Sequence, residues 1–547
     1  VSIKEHTKRR NMRQTRRFLL LLVLLEAVTF ASAQIPNDSI VADFRYFIHQ
    51  LEATHPDPYT NYGGKAFFHR AAHETLWNLK DDSVTTREEL CWRIRAFLAP
   101  LRDGHTQIHY PETQGSFSLV PIRFKAVGDG LFVRRLPKGH QHLIGSRLIA
   151  IENIQTKDLC EDMMKIYPAE NEIGKLANIC GHGHQPVVLG RIIPNLRQDT
   201  ITYHLMTPEG NTVRLPLPLI PVEQWKEWNN EQTVQGNRFP TENLTYTFTD
   251  KQKNTMYFRS TSIMARDNIE YMYQAGMNYY DDLKYCYDKL YHRPVPSDTL
   301  KAIASLPSFS EEFEKMLQQM KCNKSENLII DLRGNGGGWT PITYPTLYQL
   351  WGDGYLQKNF QNYLYRLLSP LYIQKLNTTL EQFNARYHTN YEFGDYTFYE
   401  SDEKTQAVTD ETRTRFVSNS MSCIQDKLAK QNGHPVYTPK HIYVLADADT
   451  YSAAFHYMFY LWKMGAKIVG VPSSQAPNTY MEVTQFTLPR TRLEGSISNS
   501  MQLFLSADDP CAKQLIPDIL LTYDDYKRYN FDSQAEVLYL LDYIKAQ

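Results

Sequence analysis

The segment Asn327–Trp339, N-L-I-I-D-L-R-G-N-G-G-G-W, constrains this chain more than any other stretch. Leu328, Ile329 and Ile330 form a short apolar, largely β-branched run bounded by charge, the pattern of a buried parallel strand. The run ends in Asp331 and Arg333 and passes into a turn with four glycines. Gly336, Gly337 and Gly338 in succession let the backbone approach a ligand closely and present bare N–H groups to it. Such a turn serves either as a phosphate cradle or as an oxyanion hole. No lysine–hydroxyl pair follows the glycines and a G-x-G-x-x-G spacing is absent, so the oxyanion hole is the expected use.

A length of 547 residues implies two or three domains. The net charge of −1 argues against nucleic acid as the main partner. At the N-terminus Arg13, Arg16 and Arg17 precede the apolar run Phe18–Leu25, and Ala31-Ser32-Ala33 follows before Gln34. That is the order of a secretory signal peptide, with Met12 read as the true start and residues 1–33 as the leader. The run is too short to span a bilayer and Glu26 interrupts it. The expectation is an exported protein, periplasmic or extracellular, with no membrane span after cleavage. The seven cysteines form no C-x-x-C pair, so neither a zinc site nor a dense disulfide scaffold is indicated; the count leaves room for one bridge.

Residues 34–112 read as a helical domain, with Phe44, Phe47, Ile48 and Leu51 at helical spacing and a capping box at Thr85 and Glu88. Residues 113–220 turn to β-structure and close with a hairpin, Ile201–Met206 and Thr212–Leu217. From 221 to 547 strands alternate with helices, which predicts a largely parallel sheet. Its strands are Met256–Arg259, Leu328–Leu332, Ile442–Ala446 and Lys467–Val471. The tyrosine-rich interval 361–431 reads as a mostly helical insertion, long enough to be a lid or an extra subdomain.

The strand Ile442–Leu445 runs into Ala446-Asp447-Ala448-Asp449-Thr450-Tyr451-Ser452-Ala453-Ala454. Asp449 or Thr450 can cap the helix that follows, which places Ser452 in its first turn. Unsatisfied N–H groups and the positive dipole end there favour the negative charge of an attacking serine and its oxyanion. A parallel sheet brings this turn and the glycine turn together along its carboxyl edge.

These motifs, I-I-D-L-R-G-N-G-G-G and T-Y-S-A-A with a following V-G, together with L-R-D-G-H-T (101–106) and I-P-D-I (516–519), resemble the S41 serine peptidases. That family comprises the carboxyl-terminal (tail-specific) processing peptidases and the tricorn core proteases. The resemblance implies an α/β fold with a crotonase-like (ββα) core, and a PDZ-like module ahead of it. Gly145–Ile151 is similar to the PDZ pattern, although no carboxylate-binding glycine loop precedes it. It also implies a peptide or protein substrate and acyl-enzyme chemistry, with Ser452 as nucleophile and the N–H groups of Gly337 and Ala453 as the oxyanion hole.

Ser–Lys members of the family carry a lysine shortly after the V-G. Here Val469-Gly470-Val471-Pro472-Ser473-Ser474-Gln475-Ala476-Pro477 has none. Lys463 shares the serine's helix but lies about 16 Å along its axis, out of reach. The tricorn-like branch takes a histidine from the early part of the fold, and His105 in D-G-H-T matches it. Imidazole suits a general base because it titrates near neutrality. His456, one helical turn after Ser452, is the alternative base. The resemblance places an orienting acid before the terminal P-D-I, where Asp509 is preferred over Asp508, with Glu482 as a further candidate. His105 and His109 would stand about 13 Å apart on a strand, too far to share a metal, and Gly181-His182-Gly183-His184 reads as a polar loop. No metal or cofactor is expected. The competing reading is the same fold used without catalysis to bind peptide or lipid, since the lysine is absent and Phe455 replaces the glutamate often found after S-A-A.

Overall fold

The computed structural model describes residues 34–111, 117–197, 199–230, 238–358, 360, 362–401, 405 and 407–547. The expected leader, 1–33, lies outside the described residues.

A six-stranded sheet organises the C-terminal half. Its order is Thr245–Phe248, Thr255–Arg259, Asn327–Asp331, His441–Ala446, Lys467–Gly470 and Ile519–Leu520, all parallel except the first pair. The unbroken apolar run at 328–330 has the expected cause, because both faces of its strand are covered. Leu328 and Ile330 join Phe258, Val444 and the helix residues Phe313 and Leu317 on one side. Ile329 joins Tyr443, Val469 and the C-terminal helix residues Val537 and Leu540 on the other. Each such side chain contributes about 1.5–3 kcal/mol on burial.

At the end of the central strand Asp331 is fully buried and accepts from Arg259 at 2.8 Å, Arg333 at 2.6 Å and the Tyr257 hydroxyl at 2.6 Å. Arg333 also donates to Glu536, which in turn accepts from Lys125 at 2.7 Å and from the Tyr526 hydroxyl at 3.0 Å. This network ties the β-rich unit, the central strand and the C-terminal helix Ala535–Lys545 together. Burial alone would raise the Glu536 pKa, but the charges of Arg333 and Lys125 outweigh it and hold the group down at about 2, against an ordinary 4.5. Its stabilisation is therefore complete above about pH 4.5 and lost as the pH falls through 2. Glu536→Ala leaves Arg333 paired with Asp331 alone and takes the nearer carboxylate from Lys125, and is expected to cost about 3 kcal/mol, read as a lower denaturant midpoint at neutral pH.

The β-rich unit is an antiparallel sheet ordered Arg123–Val127, Gly130–Arg135, Arg147–Ile151, Thr200–Met206 and Thr212–Pro218, with Ile154–Gln155 paired to the third strand. Helices Thr156–Met163 and Glu172–His182 follow the third strand and pack on the sheet. The N-terminal helices Asn37–Thr54, Lys65–Asp81 and Arg87–Leu98 share their core with Phe486, Leu488, Leu493 and Ile497 of a late hairpin. The third helix is capped by Thr86, whose hydroxyl accepts the Glu89 N–H, one residue beyond the expected cap at Thr85. The interval 361–431 is not mostly helical at its start. Asn362–Leu367 and Tyr396–Ser401 are antiparallel strands, continuing a second sheet through Glu494–Leu503 to Gln107–Ile108. The alternation in Asn362-Tyr-Leu-Tyr-Arg-Leu is a strand pattern that the surrounding helix signals obscure.

All seven cysteines are free, so the bridge that the count allowed does not form. Among the described residues no helix is long and apolar enough to cross a membrane, and no cluster of His, Cys, Asp or Glu is arranged to hold a metal.

Candidate active site

Apart from His105, the parts of the site follow strands that end at the same sheet edge. Asn327–Asp331 leads into the glycine turn, His441–Ala446 into Ser452, Lys467–Gly470 into Gln475, and Thr255–Arg259 into Ser260–Met264.

Ser452 does not lie inside the helix, as the sequence suggested, but immediately before it. The helix begins at Ala453, and Ser452 adopts φ 54° and ψ −124°. A non-glycine residue in that conformation is strained by about 1–3 kcal/mol and has to be held there. Several contacts hold it. The Ser452 N–H donates to Gln475 Oε1, the Tyr451 N–H to the Asn335 carbonyl at 2.9 Å, and the Ser452 carbonyl accepts the His456 N–H at 3.0 Å. Thr450 braces the preceding turn, donating to the Leu332 carbonyl and accepting the Asp447 N–H, each at 3.0 Å.

Gly337 meets Ser452 directly. A Cβ built on it would lie 2.7 Å from Ser452 Cβ and 2.8 Å from the Ala453 nitrogen, and its φ is +105°. Its N–H, however, donates to Asn335 Oδ1 at 2.9 Å, so it is not the free donor expected of it. Asn335 occupies the N of G-N-G-G-G and takes that hydrogen bond because its own amide is anchored on the Ser260 carbonyl at 3.1 Å. The N–H groups of Gly338 and Ala453 make no hydrogen bond among the described residues.

His105 comes to the same place from the other end of the chain. The short strand Gln107–Ile108 pairs with Ser496 and Gly495, and the Ser496 hydroxyl donates to the His105 carbonyl at 2.9 Å. The His105 N–H donates to Asp103 Oδ1 at 2.8 Å, and the imidazole lies 4.9 Å from the Tyr451 ring, centroid to centroid. Both ring nitrogens are buried and without a hydrogen-bond partner. Desolvation lowers the imidazole pKa from its usual 6.5, with the charge of Asp103 and the Tyr480 backbone working in the opposite sense. His105 is thus neutral at pH 7, as a base has to be.

The rival, His456, is held by Thr340, Nδ1 to Oγ1 at 2.8 Å, and packs against Phe504. Burial, with a smaller contribution from nearby His105, pushes its pKa down to about 3, too low for an effective base at neutral pH.

Asp509 is not brought to His105, whose nitrogens are both unpartnered. Its carboxylate accepts the Cys511 N–H at 2.7 Å and closes its own loop. The expected spacing to P-D-I was satisfied by a turn aspartate. Glu482 is likewise engaged elsewhere, by Arg366 at 3.1 Å and the Ser500 hydroxyl at 2.7 Å. The acid beside His105 is Asp103, two residues earlier in the same motif. It is buried, and His55 Nε2 lies 3.3 Å from its other oxygen. Burial would raise its pKa, but the hydrogen bond and charge of His55 and the charge of His105 bring it well below the carboxylate range.

Gln475 was not singled out from the sequence, although it lies in the stretch where the lysine was missing. Tyr451 and Glu170 were also passed over. The Tyr451 hydroxyl donates to Glu170, a residue of the β-rich unit 281 positions away, which no local pattern encodes. The pair His182 and His184 stack on Tyr167 and Trp225, respectively.

The chain is a serine-type peptidase. Residues 302–520 match the model of peptidase family S41. Among solved structures, mature CPAF is 14% identical, with a TM-score of 0.55 over 92% of this chain and 98% of that one. Mature CPAF complexed with lactacystin matches with the same identity and coverage and a TM-score of 0.54. At this identity the likeness establishes a shared fold over nearly the whole chain. No curated protein matches the sequence.

Proposed function

We propose that this protein hydrolyses peptide bonds through an acyl-enzyme formed on Ser452. The observation that carries the reading is the strained Ser452 at the head of a buried helix, with Gly337 against its Cβ and an unpaired Ala453 N–H beside it. Ser452 Oγ attacks the scissile carbonyl while His105 accepts its proton and later delivers it to the leaving amine. Water then attacks the ester, His105 serving again as base. The developing oxyanion is held by the Ala453 N–H at the positive end of the helix, joined by the free Gly338 N–H in place of Gly337. Asp103 takes the orienting role first given to Asp509. It fixes the His105 main chain and favours the imidazolium through its charge, without contacting the ring. The His105–Ser452 hydrogen bond is absent at rest and forms when substrate closes the site.

The β-rich unit, with Gly145–Ile151 on its third strand, is proposed to be PDZ-like, and the core crotonase-like. The leader pattern of residues 1–33 supports export to the periplasm or cell exterior. Purified protein should degrade casein or a chromogenic peptide, and Ser452→Ala should lower that turnover by about 10⁶-fold without changing the thermal midpoint by more than a few degrees. Absence of turnover by the wild-type protein, with peptide or lipid bound instead, would favour the non-catalytic use of the fold.

A further inference from the structure

We propose that Glu170, supplied by the β-rich unit, is a positioning residue for the nucleophile, acting through Tyr451 and the loop Ser473–Ala476. The inference rests on the assignment of Ser452 and His105 above and extends it to a residue of another unit of the fold.

Glu170 lies in the loop between the helices Thr156–Met163 and Glu172–His182. One carboxylate oxygen accepts the Tyr451 hydroxyl, and the other accepts the Ala476 N–H at 2.8 Å. Its neighbour Asn171 caps the following helix and also donates to the Ser473 carbonyl at 3.0 Å. The loop gripped in this way contains Gln475, the acceptor for the Ser452 N–H. Two routes of covalent and hydrogen-bonded contact therefore connect Glu170 to Ser452. One passes through Tyr451, the preceding residue in the chain. The other passes through Ala476 and Gln475.

The Tyr451 phenol has little room to move otherwise. A Cβ at Gly104 would fall 2.2 Å from its hydroxyl oxygen, so the ring is seated against the D-G-H turn that carries His105. The same glutamate therefore bears on both the nucleophile and the base.

Glu170 has no ion-pair partner among the described residues, and with Tyr451 it lines a cavity of about 320 Å³ through which protons can reach it. Burial raises its pKa to about 7. Hydrogen bonds from Tyr451, Ala476 and Thr479 oppose that rise, and the charge of Asp103 adds to it. Arg95, Tyr167 and His182 line the same cavity, His105 is in ring contact with Tyr451, and Asp103, whose charge reaches Glu170, is paired with His55. As a carboxylate Glu170 accepts from both partners. Once protonated, one oxygen becomes a donor and one of the two links is weakened. Loss of the proton near pH 7 thus sets the site, and His105 loses its own proton at lower pH.

The test is the pH profile of kcat/KM for wild type, Glu170→Gln, Tyr451→Phe and the double variant, alongside Ser452→Ala. Wild type is expected to show two acid-side ionisations, one near 7 and one below 6.5. Glu170→Gln should lower kcat by about 100-fold with KM little changed, and should abolish the ionisation near 7. Tyr451→Phe should weaken that ionisation, and the double variant should lose less activity than the product of the single losses. A Glu170→Gln profile that superimposes on wild type after scaling, or fully multiplicative losses, would overturn the proposal. Should Glu170→Gln fail to fold, Tyr451→Phe decides alone, an unchanged profile counting against. Absence of any Ser452-dependent turnover in wild type would instead overturn the underlying catalytic assignment.

Discussion

His105→Ala is expected to lower kcat by about 10⁶-fold, close to the loss from removing Ser452 itself, because nucleophile and base act as one unit. The expectation follows from where the imidazole sits. Its two nitrogens are shielded from water, with the Tyr480 backbone near the ring but no side-chain hydrogen-bond partner, and burial holds it neutral at pH 7. A histidine serving only to hold a turn would use its ring nitrogens for that purpose, whereas His105 is fixed through its main chain by Asp103 and Ser496. The companion variant His456→Phe should retain kcat within about tenfold, since His456 Nδ1 is already engaged by Thr340 and burial pushes the imidazole pKa down to about 3. Steady-state kinetics with a chromogenic peptide would distinguish the two histidines. A large loss in His456→Phe with little in His105→Ala would reverse the assignment.

Gly337→Ala should also be strongly damaging, though less so, and for a different reason. The added methyl would lie 2.7 Å from Ser452 Cβ and 2.8 Å from both the Ala453 nitrogen and the Tyr451 carbonyl oxygen. None of these is the end of a flexible side chain, so the turn and the nucleophile have to move apart. Displacing the oxyanion donors is worth about 10²–10³ in kcat, and the backbone conformation adds about 1–3 kcal/mol of strain to the folded state. Gly336→Ala supplies the control. A Cβ there meets nothing within 4 Å, and its φ lies outside the left-handed region. Kinetics and denaturant midpoints of the two variants should separate sharply. Equal tolerance at both positions would mean that the turn does not press on Ser452.

The four inner strands of the central sheet were legible in the sequence because each carries a short apolar run that the sheet buries, and the glycine turn and serine turn followed as the carboxyl ends of two of them, whereas the more exposed edge strands Thr245–Phe248 and Ile519–Leu520 carry no such run. His105 was legible only through the resemblance of L-R-D-G-H-T, since nothing local says that residue 105 packs beside residue 451. The donor role of Gly337 was misjudged because Asn335, within the same motif, takes its N–H. Asp509 was misjudged because distance along the chain to P-D-I does not fix distance in space, while Asp103 was hidden by its closeness in sequence to the base. Gln475 and Glu170 were invisible for the converse reason. Gln475 meets Ser452 through one hydrogen bond and Glu170 meets Tyr451 and Ala476 through two, all between segments separated in the chain, and neither residue disturbs any periodicity.

The most direct measurement is the site of covalent modification by a fluorophosphonate, mapped by mass spectrometry of proteolytic fragments. A single adduct is expected on Ser452, absent from folded Ser452→Ala and formed far more slowly in His105→Ala. An adduct on any other residue, or labelling that persists in Ser452→Ala, would contradict the assignment of Ser452 as the nucleophile.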